Sequence, residues 1–157
     1  MATRKIVMQG NELLTKKCKT VLAFDEKLGE LLDDMYETMI INNGIGLAAC
    51  QVGVLKRVVV IECDGIKLEM INPEIVAKSG EESGIEGCLS VPNIQGYVNR
   101  PKEVTVKAFN RFGEPYTLTA TGMLGRCICH ETDHLEGILF TDIMTAIYTP
   151  EKNKKKK

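Results

Sequence analysis

The only two histidines among the 157 residues stand four apart, in His130-Glu131-Thr132-Asp133-His134. No other feature restricts the fold as much. Residues at i and i+4 lie one above the other on one face of an α-helix, so a helix here presents two imidazoles to one ion. The glutamate between them is placed to handle a proton on water activated by that ion. A catalytic site of this kind needs a third protein ligand and one position open to solvent. The surrounding pattern predicts the helix over Met123–Glu136, with Gly137 just past its C-terminus.

The third ligand is not settled by spacing. Of the downstream carboxylates Glu136, Asp142 and Glu151, the first lies two residues past His134 on the same helix and points elsewhere. Cys129 is next to His130 and faces about 100° away on a helix. Cys127, at i−3, shares the face of His130 but crowds an ion rather than capping it. Cys88 lies in Glu86-Gly87-Cys88-Leu89-Ser90, where Gly87 lets the backbone approach closely. A thiolate there would be deprotonated by the cation, yet a lone cysteine also reads as a small buried hydrophobe.

The rest of the chain frames that helix. Leu28, Leu31, Leu32, Met35 and Met39 recur at helical spacing and predict an amphipathic helix over Glu26–Ile41, with Asp25 as N-cap and Asn42-Asn43-Gly44 as the stop. Val58–Ile61 is a β-branched run, Asp64-Gly65 a hairpin turn, and Lys67–Ile71 the returning strand. Pro73 is expected to end that strand or leave it at an edge. Val104, Val106 and Ala108 alternate with polar residues, and Arg111–Glu114 turns the chain into a strand over Tyr116–Thr119. Helix, antiparallel strands and helix in that order give an α+β domain, the strands packed around a central helix bearing the histidine motif, with an additional N-terminal amphipathic helix. One catalytic domain is expected over 1–150, with 151–157 as a disordered lysine-rich tail.

Composition fits a soluble enzyme: 44% hydrophobic, 26% charged, formal net charge −1. The body of the chain carries no charge bias toward nucleic acid, and no segment is apolar enough for a signal peptide or a membrane span. A cytoplasmic protein is expected. Its six cysteines then read as thiols or metal ligands rather than disulfides.

Three segments together resemble the peptide deformylase family. They are Gly44-Ile45-Gly46-Leu47-Ala48-Ala49-Cys50-Gln51, like G-x-G-x-A-A-x-Q; Glu86-Gly87-Cys88-Leu89-Ser90, which matches E-G-C-L-S throughout; and His130–His134, like H-E-x-D-H. The resemblance implies that Cys88, His130 and His134 bind one divalent ion. Fe(II) is the expected native metal, and zinc, nickel or cobalt are alternatives in purified protein. It implies Glu131 as general acid/base, with the Gln51 amide and Leu89 N–H stabilising the oxyanion. The substrate it implies is an N-formylmethionyl nascent chain, cleaved to formate and a free amino terminus. It also pairs Arg100 with Asp133 as a support for the helix.

Met123 and Cys127, on the His130 face, and Ile45 are candidates to line a methionine pocket, with ordinary core packing as the alternative. Gly87 joins them as a close-approach position. Arg126, at i−4 from His130, is expected at the pocket rim with its charge in solvent. An extended substrate is expected to pair with Gly44-Ile45-Gly46 as an added strand. A ribosome contact is a candidate role for the lysine tail, and a monomer or weak dimer is expected.

Two departures from the family pattern stand out. Cys129 occupies a position usually held by glutamine, and the chain ends soon after Phe140-Thr141-Asp142, so a long C-terminal docking helix is not expected. Three rival readings arise, and the intact Gln51, Cys88 and Glu131 argue against one of them, a binding module that kept the fold but lost activity. A zinc endopeptidase would need a third ligand beyond the helix, and no histidine follows His134. A closed structural metal site would need a fourth ligand such as Cys127 or Cys129.

Overall fold

A computed structural model describes residues 2–150; the lysine-rich segment 151–157 lies outside the described residues. Helix α1, Glu26–Ile41, follows the predicted bounds. The Asp25 side chain accepts from Leu28 N–H at 3.1 Å, and the apolar stripe Leu28, Leu31, Leu32, Met35 and Met39 is buried. At its end Asn43 takes a left-handed φ of 59°. Asn43 N–H bonds to Ile40 C=O and Gly44 N–H to Met39 C=O, the paired bonds of a Schellman cap.

Strand β1, Gly46–Ala48, pairs antiparallel with β2, Val58–Cys63, which pairs through the Asp64-Gly65 turn with β3, Ile66–Ser79. Strands β6, Glu103–Phe109, and β7, Pro115–Thr121, complete a five-stranded antiparallel sheet in the order β1-β2-β3-β6-β7. A second sheet contains β4, Glu82–Cys88; β5, Val91–Arg100; and β8, Ala146–Ile147, in that order. Helix α2, Gly122–Leu135, follows β7 directly, and the short α3, Phe140–Ile143, leads into β8. No helix among the described residues is long and apolar enough to cross a membrane.

Pro73 does not end β3. The strand pairs with β2 only as far as Ile71 and passes to β6 across a register shift between Ile71 and Glu74. Asn72 sits at the shift with φ 52°, so the N–H that proline lacks falls past the end of the β2 ladder and within the irregular step of the β6 ladder, where no pairing bond needs it. Gln51 lies in a 3-10 turn over Ala49–Val52.

Helix α2 is buried over most of its length. Its C-terminus repeats the cap of α1: Gly137, φ 77°, donates to His134 C=O, and Ile138 N–H donates to Asp133 C=O. Its backbone packs against β1, β2, β6 and β7. Three apolar clusters fill the interior: one beneath α2 around Leu14, Val59, Ile61, Val104, Val106 and Ile128, one between α1 and the β1–β2 face, and a smaller one of Val91, Val98 and Phe140 at the second sheet.

Candidate active site

A cleft of about 560 Å³ opens between the Gly44–Gly46 segment and the end of β4, and α2 forms its floor. At its inner end the chain brings together Cys88, from the last position of β4, and His130 and His134, from α2. Their ligand-type atoms all lie within 4.8 Å of one another. The Cys88 sulfur is 3.4 Å from His134 Nε2. A register shift between Glu86 and Cys88 distorts β4 at this point; such bulges re-aim a side chain beside a site.

Buried polar contacts hold each of these groups. Glu86 Oε1 is 2.8 Å from His130 Nδ1. Arg100 grips both Glu86 oxygens, Nε to Oε2 at 2.8 Å and Nη2 to Oε1 at 2.9 Å, and its Nη1 donates to Asp133 at 2.6 Å. The Phe140 ring stacks on His130, with centroids 6.0 Å apart. Gln51 lies behind the thiol: its Oε1 accepts from Ala48 N–H at 2.9 Å, and its Nε2 donates to Ser90 Oγ at 3.1 Å and toward the Cys88 sulfur at 3.4 Å. Those contacts fix which way the amide points. Leu89 occupies the β4–β5 turn and lines the cleft with Ile45, Gly87, Met123 and Cys127.

The profile described as polypeptide deformylase matches residues 3–149. The chain is 50% identical over 154 residues to peptide deformylase 1 of Bacillus subtilis, covering 97% of this chain and 96% of that one. It is 53% identical over 152 residues to a peptide deformylase of Caldicellulosiruptor bescii, covering 97% and 92%. Among solved structures, a peptide deformylase from Legionella pneumophila superposes with a TM-score of 0.89 at 44% identity, covering 98% of this chain and 90% of that one.

The chain belongs to the polypeptide deformylase family.

Membership in the deformylase family makes it an enzyme of the hydrolase class and its cleft the candidate active site. The electrostatics fit a site built for a cation. Burial works against charge on His130, yet hydrogen bonds to Cys88 and Glu86 carry its pKa up to about 10. Burial, and then the neighbouring His130, push His134 well below the ordinary imidazole range. Burial also pushes the Glu131 carboxyl up to about 7, with His130 acting in the opposite direction. Glu131 Oε1 and His134 Nδ1 are buried without a protein partner, and an unsatisfied buried acceptor costs about 1–3 kcal/mol unless water or a ligand meets it. Two imidazoles and a sulfur are a donor set suited to a divalent transition ion.

Arg126 is not at the rim with its charge in solvent. It is 7% exposed, and its guanidinium donates to Glu86, Val98 C=O and Glu82 C=O. Arg126 nonetheless lines part of the cleft. Met123 is 48% exposed and Ile45 45%, so neither is a core residue; Cys127 is buried, its sulfur 3.8 Å from Ile45 C=O. Cys129, in the position usually held by glutamine, is buried outside the ligand cluster, and burial pushes its thiol up to about 11. Glu136 points away, pairing with Arg57 at 2.6 Å.

Sequence reasoning passed over Glu86, the hub of the site, and Ser90 and Phe140. Glu86 precedes Cys88 by two in the same segment, but the irregularity between them breaks the strand period, so spacing alone does not single it out.

Proposed function

We propose that this deformylase removes the formyl group from N-formylmethionyl nascent chains, releasing formate and a free N-terminal methionine. The observation that carries the reading is the convergence of Cys88, His130 and His134 at the inner end of the cleft, beside a buried Glu131 carboxyl with one oxygen unpartnered. In this reading residues 1–150 form one catalytic domain. Helix α2 is the central helix around which the antiparallel strands are arranged, and α1 is the N-terminal amphipathic buttress.

Cys88, His130 and His134 would hold one divalent ion, with Fe(II) as the proposed native metal. When bound, such an ion supplies a water of lowered pKa and a Lewis acid for the formyl oxygen. Glu131 takes the proton of the attacking water and delivers it to the leaving amine. The Gln51 amide and Leu89 N–H are the proposed donors to the developing oxyanion; Ala48 and Ser90 hold the Gln51 amide, and the hydrogen it now aims at the Cys88 sulfur is the one that would turn to the oxyanion.

The substrate backbone enters between two free strand edges. β1 ends the five-stranded sheet and β4 ends the three-stranded one, and both border the cleft, so an extended chain can pair there. Ile45, Ile85, Met123 and Cys127 give the methionine side chain apolar contacts, and Gly87 leaves room for the backbone. Arg126 closes the pocket wall with its charge turned away. Arg100 and Asp133 steady α2. A cytoplasmic monomer or weak dimer, with transient ribosome contact, completes the proposal.

Glu131→Gln, purified anaerobically with iron, is expected to keep its metal and lose about 10²–10⁴-fold in kcat for formate release. A variant that retains metal and turns over near the wild-type rate would falsify the role given to Glu131.

A further inference from the structure

We infer that Arg126 is a positioning residue that locks the strand carrying Cys88 to the helix carrying His130 and His134, so that sulfur and imidazoles stay within reach of one ion. The inference rests on the metal reading above and adds a part to it.

The need for such a lock follows from the packing. The backbone of α2 lies against β1, β2, β6 and β7, all in the five-stranded sheet. Cys88 belongs to the other sheet. The three ligands therefore come from two bodies whose junction at the site is made largely by side chains.

Arg126 makes that junction from the helix side. Nη1 donates to Glu86 Oε2 at 2.9 Å and to Val98 C=O at 2.8 Å; Nη2 donates to Glu82 C=O at 3.1 Å. One guanidinium thereby reaches two points on β4 and one on β5. Glu86 closes the circuit, because its other oxygen meets His130 Nδ1, one helical turn beyond Arg126. His130 Nε2 is left as the ring nitrogen free for the ion. Arg100 makes a second tie from the strand side, through Glu86 and Asp133. It belongs to β5, and its own hold on the helix runs through Asp133, whose side chain is 27% exposed.

An independent observation lies on β4. A Cβ added at Gly84 would fall 2.7 Å from both Cζ and Nη2 of Arg126. Gly84 is not among the residues with positive φ, so its backbone does not require glycine. The missing side chain is the space in which the guanidinium lies. Arg126 cannot withdraw from an added methyl without giving up the bonds that anchor it.

The test uses the cobalt-loaded full chain. Two readouts are taken: metal affinity by competition with a chelating indicator, and the thiolate-to-cobalt charge-transfer absorption, which reports Cys88 in the ligand set. Arg126→Met and Gly84→Ala are each expected to weaken binding by about 10–100-fold and to diminish the thiolate band, and Arg126→Lys to restore part of both. Because the two changes strike one contact, the double variant should bind no more weakly than Arg126→Met alone. Wild-type affinity and an intact band in Arg126→Met would overturn the inference, as would full additivity in the double variant. Should Arg126→Met fail to fold, Gly84→Ala carries the same comparison. A wild-type chain that binds no cobalt would instead sink the metal reading itself, and this inference with it.

Discussion

At the scale of single residues, the site depends on side chains that are absent as much as on those present. A Cβ on Gly46 would fall 2.5 Å from Glu131 Oε2 and 2.8 Å from Cys127 Sγ. Gly46→Ala must therefore displace the carboxyl that moves protons. The expected outcome is a fall in kcat of about 10²-fold, the scale of an ångström-sized misplacement, with metal content unchanged by elemental analysis. Glu131 also sets a pH dependence. Burial raises its pKa to about 7 against the pull of His130, and the base form is the ionised one. Activity should fall as pH drops, with an acid limb in kcat/KM at about 7 or below, since a cation nearby favours the carboxylate. That limb should be missing from the residual activity of Glu131→Gln.

At the scale of elements, the two long helices were legible because apolar period and end signals agreed. Asp25 and the Asn43 and Gly137 stops all do in the structure what their chemistry predicts. The cost of losing one stop is testable. Gly137 has φ 77°, and an added Cβ would collide with the Thr15 carbonyl, so Gly137→Ala should destabilise the fold by more than about 1 kcal/mol, read as a lowered urea midpoint. The hairpins β2–β3 and β6–β7 were equally readable from their turns. The β4–β5 hairpin was not, because its buried positions include Glu86 and Arg100, and charge at an inward position erases the apolar alternation that marks a half-buried strand. Pro73 was half legible: β3 continues past it, but from there it pairs with β6 alone and has one free side. The helical half of the ligand set could be read locally. The polar hub could not, since Glu86 meets partners 14, 40 and 44 residues away.

At the scale of the whole molecule, the N-terminal segment is fastened by charge. The buried Asp34 carboxylate accepts from Ala2 N–H at 2.8 Å and from Arg4 Nε at 3.0 Å. The Ala2 bond is the main cause holding its pKa below the ordinary value, with burial opposing and Arg4 assisting. A carboxyl depressed on folding contributes stability above its unfolded pKa and loses it as pH falls through the folded one. The gap in urea midpoint between wild type and Asp34→Asn should thus be widest near neutrality and narrow below about pH 4. A gap that stayed constant down to pH 2 would contradict this account. Strand β3 has a wider consequence. Its first half pairs with β2 and its second half with β6, and Ile71 alone is paired on both sides. At Asn72-Pro73 the two flanks of the larger sheet are therefore joined by little more than the covalent chain, which makes that point the natural hinge between them.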